Sequence, residues 1–317
     1  MYSKKIQAFA AGILMLLLSV VGAAAQNNGP ALYTTPEDAA NALISAAKAN
    51  DTNALATVLG PEAKDLINSG DATADNADRA LFVVAWEKKH SLKTEADGSV
   101  SLVLGEKELR FPVPLVKNTA GKWFFDGKAG LEELTNRRIG RNELSAMEVC
   151  RAIADAQRDY YALNPDHERV RHFAPRILSS PGGRDGLYWP TKDDETPSPL
   201  GALVAEAADE GYNKEAGAYH GYRYRILTGQ GANAPGGAYE YVGNGIMLGG
   251  FAVLAYPEKY GVSGVMTFLL GHDGTLFEKN LGKDTAALAA KITLYDPDAS
   301  WQKVEDEEAQ PPADTAN

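Results

Sequence analysis

Apolar residues recur at helical spacing along the first part of the chain, between residues 34 and 89. The first segment opens at Thr35, which suits a helix N-cap, and Pro36 fits the first helical turn. Glu37 and Asp38 follow at the positive end of the helix dipole, where acids are favoured. The same spacing predicts further helices over 55–59, 62–68 and 75–89.

The period changes to two after residue 98, which is typical of β-strands. We expect strands over 99–104, 109–116 and 121–126, and a helix over 127–138. Asp97 and Gly98 predict a hairpin turn before the first strand, and Pro112 favours a sheet edge for the second. Helices followed by a meander that ends in GKWFFD resemble the cone-shaped α+β fold of the nuclear-transport-factor-2-like superfamily.

The second half of the chain begins at Gly140, where we expect a domain boundary. Residues 142–164 predict a long amphipathic helix that has Cys150 on its apolar side and ends at Asn164 and Pro165. Beyond a loop rich in proline and glycine, the pattern predicts helices over 200–211 and 285–292, and strands over 221–227, 246–256, 264–270 and 275–279.

One long helix, a loop and an antiparallel sheet resemble the globular head of type IV pilins and pseudopilins. This resemblance rests on the strand phrases YRYRIL, GGFAVLAYP and GVMTFLLGHDG. Residues 26–140 stand where pilins have their apolar assembly helix, and this difference argues against polymerisation into a pilus.

The whole pattern predicts an α+β protein with two small domains. Its expected parts are a signal peptide (1–25), a linker (26–33), an N-terminal α+β domain (34–139), a C-terminal pilin-like α+β domain (140–304) and a disordered acidic tail (305–317).

Longer segments resemble a single family along most of the chain. The resemblance rests on the segments TPEDAANALISAAKANDTNALATVLGPEAKDLINSGD, NRRIGRNELSAMEVCRAIADAQRDYY and GVSGVMTFLLGHDGTLFEKNLG. These are similar to the bacterial exported proteins catalogued as domain of unknown function 2950, over about residues 33–304. The resemblance implies an exported bacterial protein and carries over no catalytic residue.

The first 25 residues have the three parts of a secretory signal peptide: Lys4 and Lys5, an apolar run over 13–21, and three alanines at 23–25. An uncleaved N-terminal anchor is the alternative. Removal of this segment takes away two lysines and no acid, so the net charge changes from −11 to −13. No later segment has the run of about 20 apolar residues that a membrane helix needs, so we expect a periplasmic or secreted protein.

Composition excludes several classes of protein. With 31 basic and 42 acidic residues, the chain has no basic patch of the kind that binds nucleic acid. The single cysteine excludes an internal disulfide and a zinc site built from several thiolates.

Candidate catalytic motifs are incomplete. Ser45 and Lys48 fit the S-x-x-K pattern, but the companion K-T-G and S-D-N motifs are absent and the segment is typical of an amphipathic helix. The glycine-rich stretch 229–250 has no phosphate-binding motif. None of the histidines forms an H-E-x-x-H motif, and we expect no cofactor. A metal site assembled from His220, His272 and Asp185 stays open, as does calcium binding by the acids at 193–195 or 296–298.

One loop contains residues that a hydrophobic core does not require. Arg184, Asp185, Tyr188 and Trp189 lie in a segment rich in proline and glycine, where recognition residues are common. Together with Tyr222 they are our candidate ligand-binding residues, and with the nearby tyrosines 219 and 224 they predict an aromatic groove for a glycan or peptide. The alternative is that Tyr188 and Trp189 only attach the loop to the second domain.

Our leading hypothesis is an exported, non-enzymatic envelope protein that binds a ligand, an envelope protein or a glycan. The first alternative is an envelope hydrolase with a site in the N-terminal domain, where Tyr33, Trp86 and Trp123 near His90 are the first place to look. The second alternative is a pilin-like assembly component.

Overall fold

A computed structural model describes residues 29–192, 194–213 and 217–305. The predicted signal peptide, residues 26–28 of the linker, Asp193 and the tail from residue 306 lie outside the described residues. Within the described part of the chain, no helix is both long enough and apolar enough to cross a membrane. The protein has the predicted α+β class.

The N-terminal half begins with helices that are capped by their own sequence. Thr35 is the predicted N-cap, and it forms a capping box with Asp38, since the Asp38 N–H donates to the Thr35 hydroxyl and the Thr35 N–H donates to the Asp38 carboxylate. Asp51 and Asp71 cap the second and fourth helices. The helices are α1 (Pro36–Lys48), α2 (Thr52–Leu59), α3 (Lys64–Ile67) and α4 (Ala72–Lys88).

An antiparallel sheet follows these helices, as predicted. Its strands are β1 (His90–Thr94), β2 (Val100–Leu104), β3 (Leu109–Arg110), β4 (Leu115–Lys117) and β5 (Trp123–Phe125). The order is β1-β2-β4-β5, with β3 also pairing with β2. The hairpin at Asp97 and Gly98 is confirmed, but β1 was not predicted because its residues are exposed on both faces except for Leu92.

Helix α5 (Gly127–Leu163) connects the two halves without a break. The predicted end of the helix before Gly140 is wrong: a glycine inside a helix costs about 1 kcal/mol relative to alanine, and packing on both sides exceeds that cost. Leu131 and Leu134 pack against the N-terminal core, and Ile153 lies in the C-terminal core. The predicted boundary falls inside this helix, and the division into domains stays a prediction.

The C-terminal half adds α6 (Gly201–Asp209), a five-stranded antiparallel sheet and α7 (Thr285–Lys291). The sheet strands are β6 (Tyr222–Leu227), β11 (Ala252–Pro257), β12 (Met266–Gly271), β13 (Leu276–Asn280) and β14 (Gln302–Lys303), in the order β14-β13-β12-β11-β6. Short hairpin strands occupy the glycine-rich excursion: β7 (Gly229–Gln230), β8 (Tyr239–Glu240), β9 (Val242–Gly243) and β10 (Ile246–Met247).

Cys150 lies on the buried face of α5, as its place in the apolar stripe predicts. Burial raises the pKa of its thiol to about 12. The thiol therefore stays protonated at neutral pH and is a core residue in this fold.

A buried carboxylate ties the two halves together. Asp71 is 4% exposed, and its Oδ1 accepts the Ala74 N–H that starts α4. Its Oδ2 accepts the Tyr212 hydroxyl and the Gly221 N–H, both at 2.8 Å. Lys259 also forms an ion pair with Asp65. The start of α4 is thus held directly by the C-terminal half.

Alanine substitutions at two glycines of α5 should change the stability of the protein in opposite directions. A Cβ at Gly130 would lie 2.3 Å from the Pro112 carbonyl oxygen, whereas Gly140 has no neighbouring atom within 4 Å. We expect Gly130→Ala to lower the free energy of unfolding by about 1–3 kcal/mol through overpacking. We expect Gly140→Ala to raise it by about 0.5–1 kcal/mol. Urea unfolding followed by circular dichroism measures both, and equal effects would contradict the close contact at Gly130.

The Asp71 contact predicts a loss of stability in Tyr212→Phe. The variant removes a hydrogen bond to a carboxylate, and we expect the free energy of unfolding to fall by about 1–2 kcal/mol. Tyr239→Phe is the matched control, because Tyr239 is 55% exposed. Chemical denaturation of both variants checks this, and an equal response would show that the Tyr212 hydroxyl does not hold the halves together.

Candidate ligand-binding site

The predicted loop residues are held by their own neighbours. Asp185 accepts the backbone N–H and the hydroxyl of Ser180, at 2.7 and 2.8 Å, and lies 3.4 Å from the Arg176 guanidinium. The Ser180 backbone bond, the largest cause, lowers the pKa of Asp185. The Arg184 guanidinium lies over the Trp189 ring at 5.6 Å. These contacts order the loop.

Trp189 does not lie in an open groove, because it is only 5% exposed. Its ring packs edge-on against Tyr160, at 6.4 Å between centroids. Tyr222 is fully buried, and its hydroxyl donates to the Met266 carbonyl. Both side chains are part of the C-terminal core because they face inward from the loop and from β6.

Tyr188 does line a cavity, of about 590 Å³, in the C-terminal half. Tyr219 and Tyr224 line it too, so three of the tyrosines predicted to share a groove meet there. Tyr222, Arg184 and Asp185 do not line the cavity. The ligand-binding role of this group of residues stays a prediction.

The predicted metal and catalytic groups are not brought together. Among the described residues, no three His, Cys, Asp or Glu side chains are arranged to hold a metal ion. His220 lies 3.4 Å from the Glu210 carboxylate, and His272 packs against the ring of Tyr241. The Ser45 hydroxyl donates to the Asn41 carbonyl within α1.

The place suggested for a hydrolase site is a packing contact. His90 is exposed, stacks on the Trp86 ring at 4.0 Å and makes a hydrogen bond to the Trp86 carbonyl. Tyr33 and Trp123 pair through their backbones. None of these four residues lines the large cavity of the N-terminal half.

That cavity, of about 670 Å³, is formed between α4, the β2–β3 hairpin, the C-terminal parts of α1, α2 and α3, and the first half of α5. Its size is typical of small-molecule sites. Sequence reasoning missed it because its walls come from four separated segments. The apolar lining residues are Leu43, Ala47, Leu55, Leu59, Leu66, Ile67, Leu81, Phe82, Val84, Ala85, Leu104, Leu109, Phe111, Pro112 and Leu134.

Three of these apolar side chains are unusually open to solvent. Leu81, Val84 and Leu109 are 66%, 59% and 63% exposed. Phe82 and Phe111 pack against each other beside them, with ring centroids 5.5 Å apart. A cluster of exposed large apolar side chains beside a cavity is typical of a binding surface.

The charged lining of the cavity is mostly basic. Its described lining residues include seven cations and three acids, in a chain whose net charge is −11. The cations are Arg79, Lys88, Lys107, Arg110, Arg137, Arg138 and Arg141, and the acids are Asp75, Asp78 and Glu106. Arg110 and Arg137 pair with Glu95 and Glu133 outside the lining, and the remaining excess of cations attracts anions to the cavity.

The buried polar part of the cavity is the pair Arg138 and Asp75, which are 7% and 4% exposed. The Arg138 guanidinium donates to the carbonyls of Asp65 and Leu66 at the α3 turn. Its Nη2 lies 3.8 Å from Asp75 Oδ1. Burial lowers the pKa of Arg138, an effect opposed by the neighbouring Asp75 and Asp78 carboxylates. Charge therefore reaches into the apolar cavity from one side.

Comparison with known proteins identifies the family of the chain and gives no information about its site. No curated protein and no solved structure matches the chain, so the pilin-like and cone-fold resemblances gain no support and stay predictions. One family model matches residues 31–304, nearly all of the described part of the chain. The chain therefore belongs to the family described as Protein of unknown function (DUF2950).

Proposed function

We propose that this is an exported protein that binds an anionic amphiphile, a small molecule with an apolar body and an acidic head group, in the N-terminal cavity. One observation supports this most strongly: an apolar cavity of about 670 Å³ whose charged lining is mainly arginine and lysine. Apolar walls match the body of such a ligand, and guanidinium groups match its carboxylate or phosphate. Export rests on the signal-peptide pattern of residues 1–25.

Binding accounts for the described lining better than hydrolysis does. Among the described lining residues there is no Ser, Thr, Cys or His. These are the side chains that most often act as nucleophile or general base in hydrolases. The buried Asp75 carboxylate lies beside the Arg138 guanidinium, and this pair can recognise a ligand without a nucleophile nearby.

Three probes with one tail test the charge of the ligand. Isothermal titration of the protein lacking residues 1–25 compares dodecanoate, dodecanol and dodecylammonium, with the two ions below their micelle concentrations and dodecanol below its solubility. We expect saturable binding in the order dodecanoate, dodecanol, dodecylammonium, because the lining cations favour the anion and oppose the cation. Equal affinity of the three probes, or absence of binding, would contradict the proposal.

Substitution at the cavity mouth locates the binding. Leu81→Glu combined with Leu109→Glu places two carboxylates beside the apolar opening, and we expect at least a tenfold loss of dodecanoate affinity. Leu144→Glu is the matched control, since Leu144 is 61% exposed on α5 and does not line the cavity. The control should bind like the wild type. A similar loss in both proteins would place the binding elsewhere.

Two arginines of the cavity lining are each expected to contribute to the affinity for the anion. Arg137 and Arg141 are exposed lining residues, and we expect Arg137→Gln and Arg141→Gln each to weaken dodecanoate binding about twofold to fivefold, which lies within the range for one exposed ion pair. The loss should shrink as salt is added. Arg169→Gln, at an exposed position outside the cavity, is the control. Dodecanol binding should stay unchanged in all three variants.

A further inference from the structure

Asp75 has an acceptor atom that the described fold does not use. Asp75 is 4% exposed and lines the N-terminal cavity. Its Oδ2 accepts the Ser69 N–H at 2.9 Å. Its Oδ1 is buried and has no hydrogen-bond partner among the described residues. Buried polar atoms in folded proteins almost always have a partner, so this oxygen is a candidate contact for a ligand.

The charge of Asp75 is only partly compensated. Burial raises the pKa of this carboxyl, and that effect exceeds the opposing ones from the Ser69 hydrogen bonds and from the Arg138 and Arg79 guanidinium groups. A hydrogen-bond donor that reached Oδ1 would stabilise the carboxylate. The free acceptor therefore favours a ligand that carries such a donor.

A potential donor for the acidic head group of the ligand lies beside this acceptor. Nη2 of Arg138 is 3.8 Å from Asp75 Oδ1, a separation too long for a hydrogen bond between them. A guanidinium has five N–H groups, and Arg138 directs two hydrogen bonds to the carbonyls of Asp65 and Leu66. Adjacent donor and acceptor atoms of this kind match a ligand whose acid oxygen and whose hydroxyl oxygen are three or four bonds apart.

The surrounding charge favours a neutral donor over a cationic one. Arg79, Arg138 and Arg141 line the same cavity as Asp75, so an ammonium group beside Oδ1 would gain the attraction of one carboxylate but meet the repulsion of three guanidinium groups. A hydroxyl group donates one hydrogen bond and carries no charge. It satisfies the oxygen without that repulsion.

We infer that the ligand of this cavity is a hydroxylated anionic amphiphile, in which a hydroxyl group close to the acidic head group donates to Asp75 Oδ1 while the acid contacts Arg138. This inference rests on the proposed function, because it names the ligand class of the same cavity. Asp75 is a specificity-determining residue in this account.

Positional isomers of one probe test the inference on the unaltered protein. Isothermal titration compares dodecanoate, 3-hydroxydodecanoate, 12-hydroxydodecanoate and 3-methoxydodecanoate. We expect 3-hydroxydodecanoate to bind about tenfold more tightly than the other three, since a hydrogen bond to a buried charged group is among the stronger ones. The methoxy compound keeps the oxygen and loses the donor, so its affinity should match that of dodecanoate or fall below it.

A protein variant tests the partner atom. Asp75→Asn keeps an oxygen for the Ser69 N–H and replaces the free acceptor with an amide NH₂, so the preference for 3-hydroxydodecanoate should fall below about twofold. Asp155→Asn is the matched control, because Asp155 is an exposed aspartate that pairs with Arg158 and does not line the cavity. The control should keep the preference. If Asp75→Asn does not fold, the comparison of the four probes on the wild-type protein tests whether a hydroxyl donor near the acid strengthens binding.

The outcomes separate the inference from the proposed function. Absence of binding by every probe overturns both. Binding of dodecanoate with equal or tighter affinity than 3-hydroxydodecanoate overturns the inference and leaves the proposed function standing. Equal affinity of the methoxy and hydroxy compounds overturns the role of the donor, and a preference that survives in Asp75→Asn overturns the role of Asp75.

Discussion

The buried guanidinium of Arg138 is the constraint on which the arrangement of the N-terminal half depends. A charged group that leaves water must regain its hydrogen bonds inside the protein, or the fold loses several kcal/mol. Arg138 regains these hydrogen bonds by donating to the carbonyls of Asp65 and Leu66 at the α3 turn. The carboxylate of Asp75 on α4 lies 3.8 Å away and partly compensates its positive charge. The middle of α5 is therefore fixed relative to α3 and α4, the elements that form the cavity.

The same constraint joins the fold to the candidate site. Helix α4 is held at its start by Asp71, which accepts hydrogen bonds from Tyr212 and Gly221 of the C-terminal half. From that fixed start, α4 continues along the cavity and leaves Leu81 and Val84 uncovered. This helix is held at its start by Asp71, and Oδ2 of its buried Asp75 accepts the Ser69 N–H. Its open face remains free for an apolar ligand.

Much of the fold was predictable from sequence, because capping residues and hydrophobic period act locally. Thr35, the hairpin at Asp97 and Gly98, and the strands of the C-terminal sheet are examples. The break expected at Gly140 was wrong because the cost of one glycine is small against packing at both ends of α5. β1 was missed because its pairing with β2 comes from backbone hydrogen bonds and not from an apolar face.

The candidate site was far less predictable. Arg79, Arg110 and Arg138 look like ordinary surface cations in the sequence, and only the fold brings these three positions to one cavity. The sequence predicted ligand-binding residues at Tyr188 and Trp189. Trp189 is buried in the core, and of the two only Tyr188 lines a cavity. An interpretation based on residue type in a loop does not distinguish a recognition residue from a packing residue, because burial is a tertiary property.

A crystal structure of the protein soaked with a bromine-labelled fatty acid, 12-bromododecanoate, tests the central claim most directly. The account predicts anomalous bromine density inside the N-terminal cavity, with the carboxylate within hydrogen-bond distance of a lining guanidinium such as that of Arg138. Bromine density confined to the cavity beside Tyr188, or confined to the protein surface, would contradict it.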